Sequence, residues 1–396
     1  MTKKNNPTCL DGIKVLDLSR ILAGPWATQI LADLGADVVK VESENGDDTR
    51  IWGPPFLKDV DGNDSDAAYF ASCNRNKKSI VVNFANAEGS ILIKNLAKKA
   101  DIIVENFKLG GLKKFGLDYD SIKKLNKKII YCSITGFGQS GPYAKRSGYD
   151  FLIQGMAGLM SITGHPNKIK NSEPTKVGVA VSDLFSGMYV STSILAALNY
   201  RNKTGKGQYL DCSLFDCQVA MLANQSSNWL NGKYLPSRLG NHHPNVVPYS
   251  VYKVKDGHII IACGNDRQFQ SLVKAIDAED LKKDKKYITN AKRVRNREIL
   301  NKKLEKYLSK FTKSKIIHLL ELSKVPCGPI NNLKEVFEDP HTNERNLKIT
   351  MQRKDNTEII TTAFPIKFSE TTPNYSNPPP NLGENTEEVL KTWLKK

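Results

Sequence analysis

Along roughly the first 215 residues, short β-branched runs alternate with segments whose apolar positions recur at the helical period. Ile13-Lys-Val-Leu-Asp-Leu18 reads as a buried strand, followed by Ala23-Gly-Pro25 and a helical pattern from Trp26 to Leu34. Gly35 closes that helix as its C-terminal cap, and Asp37-Val-Val-Lys-Val41 is the next strand. Further strand candidates are Ser79-Ile-Val-Val82, Asp101-Ile-Ile-Val104 and Lys128-Ile-Ile-Tyr-Cys-Ser133, with helical patterns at 87–99 and 119–126 between them. Strands alternating with helices predict right-handed crossovers and a mostly parallel sheet covered on both faces. A helix apolar on nearly all sides follows, from about Leu184 to Tyr200, and ends at the basic, glycine-containing Arg201-Asn-Lys-Thr-Gly-Lys-Gly207.

The pattern changes over 220–325, where a strand-like Gly257-His-Ile-Ile-Ile-Ala262 precedes helical segments. The expected architecture is α/β. A Rossmann-like large domain spans 1–220, a smaller α+β domain spans 221–325, and a C-terminal segment, 326–396, returns to the large domain.

Composition sharpens this picture at two points. The hydrophobic fraction is 40% and the charged fraction 25%, which excludes a largely disordered chain. The formal charge is +17, and residues 281–315 hold fourteen Lys/Arg against three Asp/Glu, a net of +11. A nucleic-acid partner is the obvious reading of such an excess. Only Tyr287, Tyr307 and Phe311 interleave with these cations, however, and Ile299, Leu300, Leu304 and Leu308 fall at helical spacing. That predicts amphipathic helices with a lysine-covered solvent face, lacking a base-stacking platform. No nucleic-acid partner is expected.

Seven scattered cysteines without a C-x-x-C form neither a disulfide framework nor a zinc-ligand set. They fit a reducing compartment, the cytoplasm or a mitochondrial matrix. The amino terminus lacks the apolar core of a signal peptide, and no run of ~18–20 uninterrupted apolar residues occurs, so no membrane partner is expected. His242-His243-Pro244 reads as a turn, with no carboxylate or cysteine spaced to complete a metal site.

Several short motifs carry chemistry. Gly136-Phe-Gly-Gln-Ser-Gly141 matches G-x-G-x-x-G after a strand, but Pro142 and a polar segment follow where a dinucleotide fingerprint opens a helix. A tight, mobile loop over a substrate is the better reading. Asp183 precedes the apolar helix and reads either as its N-cap or as a catalytic carboxylate. Asn74-Arg-Asn-Lys-Lys78 sets three cations before a strand, as a solvated turn or a cradle for a polyanion. Glu105-Asn-Phe107 ends a strand, where open parallel sheets line their ligand crevice.

Together these segments resemble the class III CoA-transferases, the carnitine dehydratase/bile-acid-inducible type, along essentially the whole chain. The likeness lies in Leu16-Asp-Leu-Ser-Arg-Ile-Leu-Ala-Gly-Pro25, Gly35-Ala-Asp-Val-Val-Lys-Val-Glu42, Gly46-Asp-Asp-Thr-Arg50 and Asn74-Arg-Asn-Lys-Lys-Ser-Ile80. It continues in Val104-Glu-Asn-Phe107, Ser133-Ile-Thr-Gly-Phe-Gly-Gln-Ser-Gly-Pro142 and Thr204-Gly-Lys-Gly-Gln208. Within the family, Asp47-Asp-Thr-Arg-Ile-Trp-Gly-Pro-Pro-Phe56 and Gly328-Pro-Ile-Asn-Asn332 are most similar to members that move CoA from succinyl-CoA to glutarate.

The resemblance implies that Asp183 attacks an acyl-CoA thioester. Transfer to a small carboxylic acid would then run through aspartyl-acyl anhydride and aspartyl-CoA thioester intermediates, with Gly136 and Gly138 of the glycine loop near the oxyanions. It places Ile21, Ala23, Asn76, Lys77, Asn106 and Phe107 around CoA. Lys114 stands near the phosphates, where an arginine is usual. Ser43 and Thr135 occupy positions that are basic in the formyl-CoA:oxalate branch. The resemblance further implies an intertwined homodimer, and CoA as substrate with no resident cofactor. Racemases of the same superfamily carry a proton-transfer histidine in Gly-His-Asp. This chain has Gly148-Tyr149-Asp150, and a tyrosine with a pKa of about 10 is a poor shuttle. For the second carboxylate of a dicarboxylic acceptor, Arg20, Arg50 and Arg267 are the candidate cations.

Overall fold

Six strands form one parallel sheet in the computed structural model, which describes residues 8–373 and 375–395. They are β1 (Lys14–Asp17), β2 (Asp37–Glu42), β3 (Lys77–Val81), β4 (Ile102–Glu105), β5 (Ile130–Thr135) and β6 (Gln208–Ser213). Their spatial order is β3-β2-β1-β4-β5-β6, with every neighbouring pair parallel. This is the doubly wound order of a Rossmann-type sheet.

Alternate residues of each strand feed two cores. Val15, Val38, Ile102 and Ile130 face one side, against α1 (Ala23–Asp33) and the later helix 181–204. Leu16, Val39, Ile103 and Tyr131 face the other, against α2 (Ala87–Ala97) and the C-terminal helix Thr386–Leu394. Burial on both faces is why β2 and β4 read as apolar runs and not as alternating ones.

Three more helices complete this unit near the site: α3 (Tyr119–Leu125), α4 (Asp150–Met156) and α5 (Val181–Thr204). The 24-residue α5 is long and apolar enough to cross a bilayer by composition. Here Val190, Ile194 and Ala197 are buried in the core beside Ala27 and Leu31 of α1, so one face belongs to the protein interior. A short helix, α6 (Leu214–Met221), follows β6.

The C-terminal segment returns to this unit through named contacts. The Asn76 N–H donates to Asn377 O at 2.8 Å, the Ser79 N–H to Asn385 Oδ1 at 3.0 Å, and Trp393 Nε1 to Asp37 Oδ2 at 2.8 Å. The return begins at Pro340 and not at residue 326, because Cys327–Gly328 pairs antiparallel with Gly257–Ala262.

The second unit comprises Met160–Lys176 and Asn224–Asp339. The excursion 160–176 carried no apolar periodicity to announce it. A three-stranded antiparallel sheet packs here against helices that bury Phe269, Leu272, Leu300, Leu304, Leu308 and Ile316. Lys283, Lys292, Lys302, Lys306 and Lys310 are exposed on the opposite faces. Tyr287 is buried, and Arg293 is buried between Asp266 (2.7 Å) and the Phe269 ring, so neither is offered to solvent.

Candidate active site

In a sheet of this order the crevice opens at the carboxyl ends of β1 and β4, where the connections leave in opposite directions. The segments leaving those two ends, Arg20 to Ala23 and Asn106 to Phe115, line a cavity of about 510 Å³. The chain after β1 makes an abrupt turn. Ile21 sits at φ 71°, a left-handed conformation that a β-branched residue adopts only under constraint. The constraint is visible on both sides. Asn106 Oδ1 accepts from the Arg20 N–H (2.9 Å) and its Nδ2 donates to Arg20 O (2.7 Å), while Asp47 accepts from the Ile21 N–H at 3.2 Å. Burial works against a charge on Asp47, but Lys40 at 2.8 Å and Thr49 hold its carboxyl down to about 2. Asn106 therefore acts on the protein's own backbone while lining the cavity.

The opposite wall is the run from Ala144 to Tyr149, with Thr135 and Gly136 at its base. A Cβ built on Gly136 would lie 2.5 Å from the Gly148 Cα, so the two backbones touch there. Gly136→Ala is expected to push the 144–149 wall outward and lower kcat/KM roughly tenfold or more, with the cooperative unfolding transition retained. Steady-state kinetics beside a thermal melt checks this. Gly138 does not line the cavity. Its N–H donates to Thr135 Oγ1 (2.9 Å) at φ 82°, and the Gln139 N–H is held by Asp211 (3.0 Å), which ties the glycine loop down behind the wall.

Asp183 lines the cavity from the first turn of α5. It is not the N-cap. That position is Ala180, and the free N–H of Ser182 is taken instead by Asp150 Oδ1 at 2.8 Å. Asp150 Oδ2 is itself held by Gln154 Nε2 (2.8 Å), and Ser182 Oγ donates to Gln218 (2.7 Å), so the first turn is pinned from both sides. The Asp183 carboxyl makes contact with the cavity, yet desolvation by the surrounding protein, with the like charge of Asp150 second, pushes it up to about 7.

Ile21, Ala23, Asn106, Phe107 and Lys114 also line the cavity, with Lys114 Nζ over the Phe115 ring at 4.7 Å. Asn76 and Lys77 do not. Lys77 is fully buried, its ammonium bonded to Asp17 (3.1 Å), Pro25 O (2.9 Å) and Asn74 (2.9 Å). Asn76 Nδ2 donates to Asp33 (2.7 Å), which also takes Arg75 at 2.5 Å. The side chains of these two residues are engaged in interior pairs, so the 74–78 run is not a solvated turn. Ser43, too, lies outside the cavity lining.

Four cations that sequence spacing did not group join Lys114 there: Arg20, Lys108, Lys145 and Arg146. Arg20 is already paired with Asp48. Glu105, whose motif marked the crevice, has a positioning role that the sequence did not disclose. Burial pushes it up to about 7 against the pull of Ser133 and the Phe107 N–H (2.8 Å), and it fixes the backbone that presents Phe107. The lining thus brings together a carboxyl pushed up to about 7, several cations, and apolar Ile134 and Leu214. It suits a carboxylate attack on an ester-like carbon whose leaving group is attached to phosphates.

The profile of CoA-transferase family III matches residues 10–386. This chain belongs to that family. It is 46% identical over 387 residues to the succinate–glutarate CoA-transferase of Agrobacterium fabrum, covering 98% of this chain and 96% of that one. It is 43% identical over 392 residues to human succinyl-CoA:glutarate CoA-transferase, covering 99% and 87%. Among solved structures, a CAIB/BAIF family protein from Brucella suis superimposes with a TM-score of 0.86 at 48% identity, covering 98% of this chain and 100% of that one. For a CoA-transferase, a cavity carboxyl together with lysines that pair with no carboxylate among the described residues is the expected chemistry: the substrate brings a thioester at one end and phosphates at the other.

Proposed function

We propose that this CoA-transferase moves CoA from succinyl-CoA to glutarate, with Asp183 as the nucleophile. The observation that carries the reading is the placement of Asp183 on the wall of a cation-rich cavity at the sheet's switch point. The activities named for the Agrobacterium and human relatives support the choice of acids.

The steps balance without ATP or an external base. The ionised Asp183 attacks the thioester carbon; the C–S bond breaks, leaving an aspartyl-succinyl anhydride and CoA thiolate. The thiolate attacks the Asp183 carbonyl carbon, releasing succinate and forming an aspartyl-CoA thioester. A glutarate carboxylate displaces the thiolate to give an aspartyl-glutaryl anhydride. Thiolate attack on the glutaryl carbon releases glutaryl-CoA and restores Asp183. Each tetrahedral oxyanion forms beside the Gly136 backbone and the first turn of α5, whose dipole favours negative charge. No resident cofactor enters the scheme.

The CoA phosphates are assigned to Lys108 and Lys114. Lys114→Gln is expected to raise the KM for succinyl-CoA by roughly three- to tenfold while leaving kcat nearly unchanged, which initial-rate measurements read directly. Exposed Met188, Tyr189, Leu195 and Tyr200 on α5 fit burial against a second copy in a homodimer, which sedimentation equilibrium tests. Seven free thiols fit a reducing compartment such as the cytoplasm. The activity itself is tested with succinyl-CoA and a panel of carboxylic acids. Glutaryl-CoA is the expected product; proton exchange at the α-carbon of a branched acyl-CoA without any CoA transfer would favour a racemase.

A further inference from the structure

If both donor and acceptor are dicarboxylates, each brings a second carboxylate that takes no part in bond making and needs a cation. Arg50 is excluded, because it is buried between Glu42 (2.7 Å) and Asp66 (2.8 Å) over the Phe70 ring. Arg267 is not among the residues that line the cavity. Arg20 lines the cavity, but Asp48 neutralises it and would repel an incoming carboxylate.

Arg146 differs from all three. It lines the cavity on the 144–149 wall, it is exposed, and among the described residues no carboxylate is paired with it. Its guanidinium carbon lies 4.8 Å from the Tyr143 ring centroid and 5.5 Å from that of Phe137, so two aromatic rings orient the planar fork. The wall that carries it is tied to the reacting end of the cavity at two points. Gly148 packs against Gly136, and Asp150 bonds the first turn of α5 beside Asp183. A guanidinium in this setting can take both oxygens of a carboxylate at once, which the neighbouring Lys145 ammonium cannot.

We propose that Arg146 receives the distal carboxylate of donor and acceptor, and so makes this site prefer dicarboxylic over monocarboxylic acids. The inference rests on the CoA-transfer reading above, and the test separates the two. With succinyl-CoA as common donor, kcat/KM is measured for glutarate and for butyrate in the wild-type enzyme, Arg146→Gln and Arg146→Lys. Any effect on the donor cancels from the glutarate/butyrate ratio. Arg146→Gln is expected to lower that ratio about tenfold or more, chiefly through the KM for glutarate, with Arg146→Lys between it and wild type. Hydroxylamine trapping at Asp183 should persist in both variants. An unchanged ratio in Arg146→Gln overturns the assignment while CoA transfer stands. A wild-type enzyme that transfers CoA without preferring glutarate overturns it too. Absence of CoA transfer to either acid in wild type defeats the underlying function, and the assignment with it.

Discussion

Asp183→Asn is expected to abolish CoA transfer, by ~10³-fold or more, and at the same time to stabilise the protein above neutral pH. The first effect follows from covalent catalysis: the amide cannot attack a thioester or carry the acyl group. The second follows from the environment. Burial and Asp150 raise the Asp183 carboxyl from 3.8 to about 7, so the folded state binds its proton more tightly than the unfolded state does. That binding favours the fold at low pH, and the advantage is lost as pH rises from about 4 to about 7. Each unit is worth ~1.4 kcal/mol, and allowing for the contact of this carboxyl with the cavity the penalty at pH 8 is about 1–2 kcal/mol. Asparagine, always neutral, escapes it. Thermal melts should show the variant above wild type at pH 8 and level with it near pH 4. The same value predicts that wild-type kcat/KM falls with unit slope below about pH 7, because only the ionised carboxyl is a nucleophile.

The largest expected effect on stability is at Arg50. Its guanidinium bonds Glu42 through Nε (2.8 Å) and Nη2 (2.7 Å), Asp66 through Nη1 (2.8 Å), and Pro380 O at 3.2 Å. It therefore joins the end of β2 to the returning C-terminal segment. Arg50→Ala leaves Glu42 buried without its main partner, while Asp66 keeps Arg353 at 2.6 Å. Removing one member of such a pair costs ~3–5 kcal/mol. The prediction is a loss of that size in urea unfolding at pH 7. Burial alone would raise the Glu42 carboxyl, but Arg50, Lys40 and Ser79 hold it below 4.5. Its contribution is thus present above pH 4.5 and lost as pH falls through the lower folded value, so the gap between wild type and variant should narrow in acid.

These two sites differ in how far the chain discloses them. Asp183 is legible through the resemblance to the CoA-transferases; taken alone, an acidic residue at the head of a helix reads as readily as a cap. What the local signal did not disclose is which residue caps that helix. The N-cap position is Ala180, and the Ser182 N–H is taken by Asp150, thirty-two positions away from it. Five of the six strands were readable from their β-branched apolar runs; β6, Gln208-Tyr-Leu-Asp-Cys-Ser213, is polar and only partly buried, and carried no such signal. Their boundaries shifted by a residue or two, as at Ile13 and Ser133.

The 74–78 run shows where the limit lies. Exposed and buried lysines look alike in sequence. Lys77 is interior only because β1 places Asp17 and α1 brings the Pro25 carbonyl within 3.1 Å of its ammonium. The same long-range placement gathered Arg20, Lys108, Lys145 and Arg146 into one cavity, though no spacing relates them. The basic excess at 281–315 went the other way. Of its apolar residues Leu300, Leu304 and Leu308 are buried while Ile299 is exposed, and its lysines coat the surface of a unit whose core is already filled.

The central claim is that Asp183 becomes covalently acylated. Its most direct test is to mix the enzyme with succinyl-CoA, quench with hydroxylamine, and map the modified peptide by mass spectrometry. A hydroxamate at Asp183, dependent on succinyl-CoA and absent in Asp183→Asn, is the predicted result. Exchange activity that proceeds with Asp183 unmodified, or survives in full in Asp183→Ala, would contradict it.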